Sequence, residues 1–279
     1  MLPTTPPTPA ELAAARAIAE QAQAHDGLAP ISEQFLRNLA TNPFLGAYQG
    51  SELVGFCTYD AASAELVVAP SARGNGHGTR LITGLEAPVW AHGNLPAAQH
   101  LAAKTGREVV RELLVMEIQK EALLAAVDTA AAVPQGYSIS TFAERPELKQ
   151  QWLEANNQAF SWHPEQGGWD LQRLDTAIDT EWFSAKDVLF LLDESQNLVG
   201  FHWIKQVQGA PGEVYVVGLA DSGRGKGLGT PLVAAGLKHL AEQGNTAVIL
   251  YVEADNAPAV AAYQRLGFSV SQRHCLYGA

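Results

Sequence analysis

The sequence predicts an α/β protein built from two tandem copies of one domain. Apolar runs of strand length alternate with segments of helical periodicity along the 279 residues. A strand, a glycine-rich loop and a helix follow one another twice, from residue 65 and again from residue 213. The tetrapeptide Leu-Val-Gly-Phe precedes each of these segments, at Leu53 and at Leu198. An internal repeat is the simplest account of these correspondences.

The first copy begins with a capping box at Thr8 and Glu11, with Pro9 at the first helical position, which predicts the start of a helix. The elements predicted to follow are the rest of this helix to about residue 24, a short helix at 32–39, strands at 44–49 and 52–59 joined by a turn at 49–51, and a strand from Glu65.

The second half repeats this plan after an Ala-rich segment. A short strand, an Asn, a helix and a closing Gly occur in both halves, with Asn94 matching Asn256 and Gly106 matching Gly267. The domains are therefore predicted at 1–120 and 137–279, joined by a helical linker at 121–136. The second domain adds helices at 145–160 and 170–179, joined by a loop rich in Trp, His and Glu. This loop is expected to bind a ligand, unless its tryptophans only fill a core.

Composition excludes several classes of protein. The net charge is −11 without a dense Lys/Arg run, which argues against nucleic acid and anionic membranes as partners and suits a cationic substrate. The two cysteines, Cys57 and Cys275, form no disulfide framework, and no His/Cys/Asp cluster has metal-ligand spacing. No apolar run approaches a membrane span, and the N-terminus lacks the features of a signal peptide. A cytoplasmic monomer without a metal is expected.

The loop from Arg224 to Thr230 predicts an anion site, because its glycines let backbone N–H groups approach a pyrophosphate before a helix N-terminus. A Walker A loop is excluded, since Lys226 is followed by Gly227 rather than by Ser or Thr. A Rossmann fingerprint is excluded by the alternating glycines. The remaining alternative is a flexible turn before a helix.

Glu213 is the first candidate for proton transfer. Alternation along a strand predicts that Glu213 shares a face with Tyr215 and Val217. At about 3.3 Å per residue it lies roughly 20 Å from the phosphate loop, a span that a pantetheine arm can cover. A carboxylate there could take a proton from an attacking amine. The alternative is an exposed glutamate at a strand end.

Tyr263 is the second candidate, on the helix that follows Asn256. These two residues lie about two turns and roughly 10 Å apart on one helix face, so that Asn256 could bond the amides of a cofactor while the phenol protonates a departing thiolate. A packed core tyrosine is the alternative. In the first copy, counting back from the loop places Ala62 at the position of Glu213, and residues 95–105 contain no tyrosine. The chemistry is therefore expected in the second domain.

The spacing Arg-x-x-Gly-x-Gly, present at Arg73 and at Arg224, resembles the acetyl-coenzyme-A (acetyl-CoA) loop of the GNAT acetyltransferase superfamily. Further motifs resemble the mycothiol synthase family, which consists of tandem GNAT enzymes. They are His163-Pro-Glu-Gln-Gly-Gly-Trp, Gly200-Phe-His-Trp-Ile-Lys205, Gly212-Glu-Val-Tyr-Val, Leu250-Tyr-Val-Glu-Ala-Asp-Asn256, Asp26-Gly-Leu-Ala-Pro-Ile-Ser-Glu33 and Trp90-Ala-His-Gly.

This resemblance implies two GNAT-type domains, each a mixed and mostly antiparallel twisted sheet flanked by helices. It also implies acetyl-CoA-dependent acetylation of the cysteinyl amine of a cysteine–glucosamine–inositol conjugate. The general base would be Glu213 and the general acid Tyr263. The implied substrate-binding residues are Glu33, Glu165, Lys205, Glu213 and Tyr251. The residues implied for acetyl-CoA at the catalytic domain are Val217, Gly218, Leu219, Arg224, Gly225, Lys226, Gly227, Leu228, Gly229 and Thr230, and those for a second molecule at the first domain are Leu66, Val67, Val68, Gly74, Asn75, Gly76, His77, Gly78 and Thr79.

Two other functions fit parts of the pattern. One is acetylation of a different amine, such as an aminoglycoside or a protein N-terminus, which requires an open groove at the loop around Glu165. The other is a coenzyme-A-binding module without catalysis, which predicts binding without turnover. The contrast between the two copies argues against the hypothesis of binding without catalysis for the second domain.

Overall fold

The computed structural model describes residues 6–129, 132–163 and 166–279. The elements in the first part of the chain are α1 (Pro9–Asp26), α2 (Glu33–Arg37), β1 (Phe44–Gln49), β2 (Glu52–Tyr59), β3 (Ala64–Val68), α3 (His77–Ile82), β4 (Val89–Ala91), α4 (Pro96–Thr105), β5 (Val109–Gln119) and α5 (Lys120–Thr129). None of the described helices combines the length and the apolar character needed to cross a membrane.

After α5 comes one additional strand, β6 (Tyr137–Thr141), and the elements that follow it repeat the order from α1 to β5. They are α6 (Lys149–Ala159), α7 (Leu171–Ile178), β7 (Val188–Asp193), β8 (Leu198–Lys205), β9 (Gly212–Leu219), α8 (Gly229–Glu242), β10 (Ala247–Glu253), α9 (Ala257–Arg265) and β11 (Ser269–Tyr277). The prediction of a mixed, mostly antiparallel sheet flanked by helices is confirmed: β1–β2, β2–β3, β6–β7, β7–β8 and β8–β9 pair antiparallel, while β3–β4 and β9–β10 pair parallel.

The chain divides into two compact units that interleave in sequence. The first unit comprises the residues up to Leu114 together with Glu253–Asp255 and Gln272–Ala279, and the second comprises Val115–Val252 and Asn256–Ser271. In the first unit the strands follow the order β1-β2-β3-β4-β11, and β11 pairs antiparallel with β4. In the second unit the order is β5-β10-β9-β8-β7-β6.

The start of α1 and the bounds of β1 and β2 agree with the prediction, because they are set by neighbouring residues. The side chain of Thr8 accepts from the amide of Glu11, and Glu11 accepts from the amide of Thr8, so the capping box is present and α1 begins at Pro9. Strands β1 and β2 have the predicted bounds, because Gly50 adopts a positive φ of 63° in the turn between them.

Two layers of helix cover the sheet of the second unit. On one face, Trp152 of α6 packs with Phe190, Phe201 and Trp203, which are at most 1% exposed. On the other face, Leu228 and the buried side of α8 pack against the sheet. Burial of each such side chain stabilises the unit by about 1.5–3 kcal/mol. These layers hold β9, which carries the predicted site, between them.

Some predicted bounds were wrong. From the sequence, Pro231 and the periodic apolar residues after it predict the start of a helix; α8 begins two residues earlier, at Gly229, because proline is accommodated throughout a first helical turn. The helix predicted from residue 145 begins at Lys149, after a single 3₁₀ turn. The sequence reading also missed the strands β5, β7 and β11, of which β5 and β11 combine apolar with charged residues.

Candidate active site

The central feature of the second unit is a gap between two parallel strands. Strand β9 pairs with β10 only at its start, where Gly212, Glu213 and Val214 lie opposite residues 248–250. Beyond this point β9 continues along β8 alone. The predicted cofactor residues Val217, Gly218 and Leu219 therefore lie where the two strands have separated. Main-chain groups on this side of β9 can meet an extended ligand instead of a neighbouring strand.

A β-bulge changes which side chains share a face of β9. Trp203 of β8 lies opposite Val216, but Ile204 lies opposite Val214, so Tyr215 is an extra residue on β9. Opposed residues of an antiparallel pair project to the same face. Glu213 therefore lies on the face of its partner Lys205.

The prediction that Glu213 shares a face with Val217 was wrong for this reason. Val217 pairs with His202 and packs in the cluster that contains Leu228 and Leu232 of α8. His202 lies against α8 as well, because a Cβ on Gly236 would meet its ring. The part of the prediction that concerns Tyr215 holds, since the ring of Tyr215 contacts Trp203 on the face of Lys205.

Three residues predicted to bind substrate come together on this face. Lys205 and Glu213 are cross-strand neighbours. On β10, Ile249 lies opposite Glu213, and Tyr251 follows two residues later on the same face. Burial raises the pKa of Tyr251, and the negative charge of Glu213 raises it further. The face thus combines an ammonium, a carboxylate and a phenol beside the gap.

The other two predicted substrate residues are placed differently. Glu165 lies outside the described residues. Glu33 belongs to the first unit, where it is the first residue of α2 and forms an ion pair of 2.9 Å with Arg37. The loop that contains Glu165 is held by α6: the side chain of Asn157 accepts from the amide of Trp169 at 2.8 Å. Trp169 packs against the core, whereas Trp162 is 61% exposed.

The glycine loop joins β9 to α8. Gly225 and Gly227 adopt φ values of 71° and 72°, a left-handed conformation that favours glycine, and their missing Cβ positions face open space. The backbone N–H groups of Gly229 and Thr230 lie in the first turn of α8, where a helix leaves its donors without internal partners. This geometry suits an anion such as a pyrophosphate.

The side chains of the loop have distinct positions. The guanidinium of Arg224 donates to the carbonyl of Gln158 and lies 3.0 Å from Asp221, so it braces the loop against the end of α6. Lys226 is exposed, and its charge helps lower the pKa of Asp193. Leu228 is 1% exposed and anchors the loop in the core. Only the backbone of Leu228 is therefore available to contact a ligand.

Asn256 is the N-cap of helix α9, and Tyr263 lies in its last turn. The side-chain oxygen of Asn256 accepts from the amide of Ala259 at 3.3 Å and caps the helix. The ring of Tyr263 packs edge-to-face on Phe268 with 5.8 Å between centroids. Burial raises the pKa of Tyr263 to about 12, so its phenol is protonated at neutral pH. A protonated phenol can act as an acid.

The first unit has a corresponding loop and a cavity. Strand β3 pairs with β4 only at Ala64 and Glu65, after which the strands separate. Gly74 and Gly76 adopt φ values of 82° and 78°. A cavity of about 600 Å³ lies beside this loop, and eight of the nine predicted residues line it: Leu66, Val67, Val68, Gly74, Gly76, His77, Gly78 and Thr79. The ninth, Asn75, donates from its side chain to the carbonyl of Ala72.

The register of the strands corrects one correspondence between the copies. Gly55 of β2 and Gly200 of β8 occupy matching positions, so Asp60 matches Lys205 further along the same strands. Ser63 lies opposite Asp60, and Glu213 lies opposite Lys205. Ser63, rather than Ala62, therefore matches Glu213, because β3 lacks the extra residue of the bulge. The first unit has a hydroxyl where the second has a carboxylate.

The sequence reading missed a buried carboxylate in the first unit. Glu65 is 2% exposed, accepts from the amide of Ser32 at 2.6 Å and lies 3.0 Å from Nε2 of His92. These contacts fix the N-terminus of α2, which carries Glu33. A single acidic residue within an apolar strand was the available signal. Among the described residues, no group of three or more His, Cys, Asp or Glu side chains is arranged to hold a metal ion.

Comparisons with known proteins agree with this geometry. Residues 150–268 match the model of the Acetyltransferase (GNAT) family. The chain is 47% identical to the mycothiol acetyltransferase of Corynebacterium aurimucosum, over 93% of this chain and 92% of that protein. It is 40% identical to the mycothiol acetyltransferase of Mycolicibacterium smegmatis, over 98% and 96% of the two chains.

Two solved structures share the fold. A tandem GNAT protein from the clavulanic acid biosynthesis pathway superposes with a TM-score of 0.70 at 19% identity, covering 96% of this chain and 94% of that one. A GCN5-related N-acetyltransferase from Sphaerobacter thermophilus superposes with a TM-score of 0.68 at 22% identity, covering 99% and 94%. At these identities the likeness concerns the fold alone.

Proposed function

The chain belongs to the mycothiol acetyltransferase family of GNAT enzymes, and from this premise we propose that its second unit acetylates the cysteinyl amine of a cysteine–glucosamine–inositol conjugate, with acetyl-CoA as donor, to form mycothiol. The observation that carries this assignment within the chain is the common face of Lys205, Glu213 and Tyr251 beside the gap between β9 and β10. Donor and acceptor can meet there.

The glycine loop fits the pyrophosphate of acetyl-CoA. Left-handed Gly225 and Gly227 leave their backbone N–H groups unobstructed, and the N-terminus of the 14-residue α8 adds a partial positive charge. Val217, Gly218 and Leu219 would hold the pantetheine arm along the gap, assisted by Asn256. When bound, acetyl-CoA supplies the acetyl group as a thioester.

Glu213 acts as the general base in this proposal. The α-amine of a cysteinyl group titrates near 8, so at neutral pH one proton must be removed before the nitrogen can attack. The carboxylate of Glu213 accepts that proton, directly or through one water. General base catalysis by a positioned side chain contributes about 10²- to 10⁴-fold to a rate.

Tyr263 acts as the general acid. A thiolate leaves from the thioester, and the phenol of Tyr263 gives it a proton. Burial raises the pKa of Tyr263 to about 12, so the phenol still carries a proton at the pH of the reaction. The amine gives up two protons in all: Glu213 accepts the first before attack and later releases it to solvent, and the second, lost as the amide forms, replaces the proton that Tyr263 has given to the thiolate.

The remaining polar groups hold the acceptor. Lys205 and Tyr251 flank Glu213 on its face and can bond the hydroxyl groups of the sugar. Glu33 and Glu165 are proposed acceptor ligands on the basis of the family resemblance. Together these groups provide both donors and acceptors, as a polyhydroxylated amine requires.

The first unit is proposed to bind a second acetyl-CoA without reacting it. Its cavity and left-handed glycines support binding. Its lack of chemistry is supported by Ser63 at the position of Glu213 and by the absence of tyrosine from residues 95–105. We therefore expect two acetyl-CoA molecules per chain and one reaction centre.

A turnover assay tests the proposal. Purified protein is mixed with acetyl-CoA and the cysteinyl-glucosamine-inositol conjugate, acetylated product is quantified by mass spectrometry, and release of coenzyme A is followed in parallel. Stoichiometric formation of the amide is expected. Turnover of only a different amine would redirect the function to that acceptor. Binding of acetyl-CoA without turnover of any amine would contradict catalysis. Isothermal titration calorimetry gives the stoichiometry, expected to be two.

A further inference from the structure

The bulged residue Tyr215 is exposed within a buried stretch of strand. Its neighbours Val214 and Val216 are 4% and 8% exposed, whereas Tyr215 is 38% exposed. The centroid of its ring lies 6.0 Å from Nζ of Lys205, the cross-strand neighbour of Glu213. The ring of Tyr215 is therefore open to solvent beside the ammonium of Lys205.

Tyr215 does not move freely on this face, because two tryptophans hold it. The ring centroid of Tyr215 lies 4.9 Å from Trp182 and 5.0 Å from Trp203, both in edge-to-face contact. Trp203 is 1% exposed and contacts Trp152 of α6 at 5.2 Å. The exposed ring is therefore connected through edge-to-face aromatic contacts to the rigid core of the unit.

The same rings hold the ammonium of Lys205. Its Nζ lies 5.2 Å from the centroid of Trp182 and 6.0 Å from that of Tyr215, within the range of cation–π attraction. Lys205 is also the cross-strand neighbour of Glu213. We name Trp182 and Tyr215 the aromatic bracket, since together they fix the direction of this ammonium beside the base.

We propose that the aromatic bracket is the acceptor-specificity element of this site: it presents an apolar wall to the C–H face of the carbohydrate and orients Lys205 toward the hydroxyl groups. The inference rests on the proposed function and names the part of the acceptor that these rings recognise. A sugar ring has an apolar face and a polar rim, which matches exposed aromatic carbon surrounded by an ammonium, a carboxylate and a phenol.

Comparison of the copies supports a dedicated role. In the first unit, Thr58 occupies the position of Trp203 and Asp60 that of Lys205. The bulge that creates Tyr215 has no counterpart in the pairing of β2 with β3. Within the described residues of the first unit, β3 therefore has no counterpart of Tyr215, and the repeat forms its sheet without this residue.

Two acceptors separate recognition of the carbohydrate from catalysis. The full conjugate is compared with cysteinamide, which keeps the reactive amine and lacks the sugar and the inositol. Acetyl-CoA is kept saturating, and kcat and KM are measured for wild type, Tyr215→Phe, Tyr215→Leu and Trp182→Leu. Tyr48→Leu serves as a matched control, because Tyr48 is 43% exposed and lies in the other unit.

Removal of either ring should raise the KM for the full conjugate by about 2- to 12-fold, the range of one aromatic contact, with little change in kcat. The kcat/KM for cysteinamide should stay within about twofold. Tyr215→Phe and Tyr48→Leu should match wild type, since the ring and not its hydroxyl forms the wall. The double variant Tyr215→Leu/Lys205→Met should raise the KM for the full conjugate by less than the product of the two single increases, because the ring also orients the ammonium.

Equal losses on both acceptors, accompanied by a lowered melting temperature, would assign the rings a purely structural role and overturn the inference. An unchanged KM for the full conjugate in both leucine variants would overturn it as well. If wild type turns over neither acceptor, the proposed function itself fails, and the inference fails with it. This last outcome is recognised before any variant is measured.

Discussion

The two glycine loops offer a matched pair of substitutions that assigns the catalytic cofactor to one unit. Gly227 and Gly76 occupy the same place in their loops, with φ values of 72° and 78°, and a Cβ on either would meet open space. An alanine at either position therefore creates no clash. It suffers only the cost of the left-handed conformation, which is about 1–2 kcal/mol.

That strain favours a shift of the loop away from the conformation that presents its N–H groups. A difference of 1–2 kcal/mol corresponds to about a 5- to 30-fold change in an equilibrium constant. We expect Gly227→Ala to raise the KM for acetyl-CoA by about this factor, with kcat close to that of wild type. Gly76→Ala should leave both kinetic constants within about twofold, because its loop belongs to the unit that lacks Glu213.

The assay is steady-state kinetics with acetyl-CoA varied and the acceptor saturating, supplemented by calorimetric titration of acetyl-CoA. Gly76→Ala should weaken only one of the two binding events. Equal kinetic damage from the two substitutions would refute the assignment of chemistry to the second unit. An unchanged KM in Gly227→Ala would refute the role of its loop in holding the donor.

Three further substitutions test other parts of the account. Tyr263→Phe should lower kcat about 100-fold or more with the KM for acetyl-CoA nearly unchanged, and an unchanged kcat would remove Tyr263 as the acid. The carboxylate of Asp187 accepts a hydrogen bond from His239 at 2.7 Å and another from Gln243. Burial raises the pKa of Asp187, but these hydrogen bonds outweigh burial, so that the pKa is lowered. Asp187→Asn should therefore lower the free energy of unfolding by about 1–3 kcal/mol at pH 7. The difference in melting temperature should shrink as pH falls from about 4, the ordinary pKa of Asp in the unfolded chain, through the lowered pKa of the folded state; a difference independent of pH would contradict this. Gly236→Ala would bring a Cβ within 2.0 Å of the ring of His202 and should lower the free energy of unfolding by about 1–3 kcal/mol. The double variant Gly236→Ala/His202→Ala should lose no more stability than His202→Ala alone, because the clashing ring is absent.

Much of this fold is encoded in local sequence. The capping box at Thr8 and the glycine of the turn between β1 and β2 fixed the predicted bounds, because their effects act within a few residues. The repeat of the glycine loop was readable for the same reason: both Gly76 and Gly227 require a left-handed conformation. The candidate base, Glu213, followed from its distance along the strand to the second loop, and the candidate acid, Tyr263, from its helical spacing to Asn256.

Features that depend on distant parts of the chain could not be read in this way. Strand β11 pairs with β4 in the first unit, although β11 is the last strand of the chain. The bulge at Tyr215 exists because β8 and β9 differ by one residue in register, and nothing within β9 marks it. Simple alternation therefore placed Val217 on the wrong face. The aromatic bracket was missed because its two rings, Trp182 and Tyr215, lie far apart in the sequence.

The most direct test of the account replaces the proposed base. Glu213→Gln keeps the size of the side chain and removes its ability to accept a proton. We predict that kcat falls by about 10²- to 10⁴-fold while the KM for acetyl-CoA changes little, and that the remaining rate rises with pH as the free amine becomes more abundant. A variant that acetylates the cysteinyl conjugate at the wild-type rate would contradict the central claim that this carboxylate receives the proton of the amine.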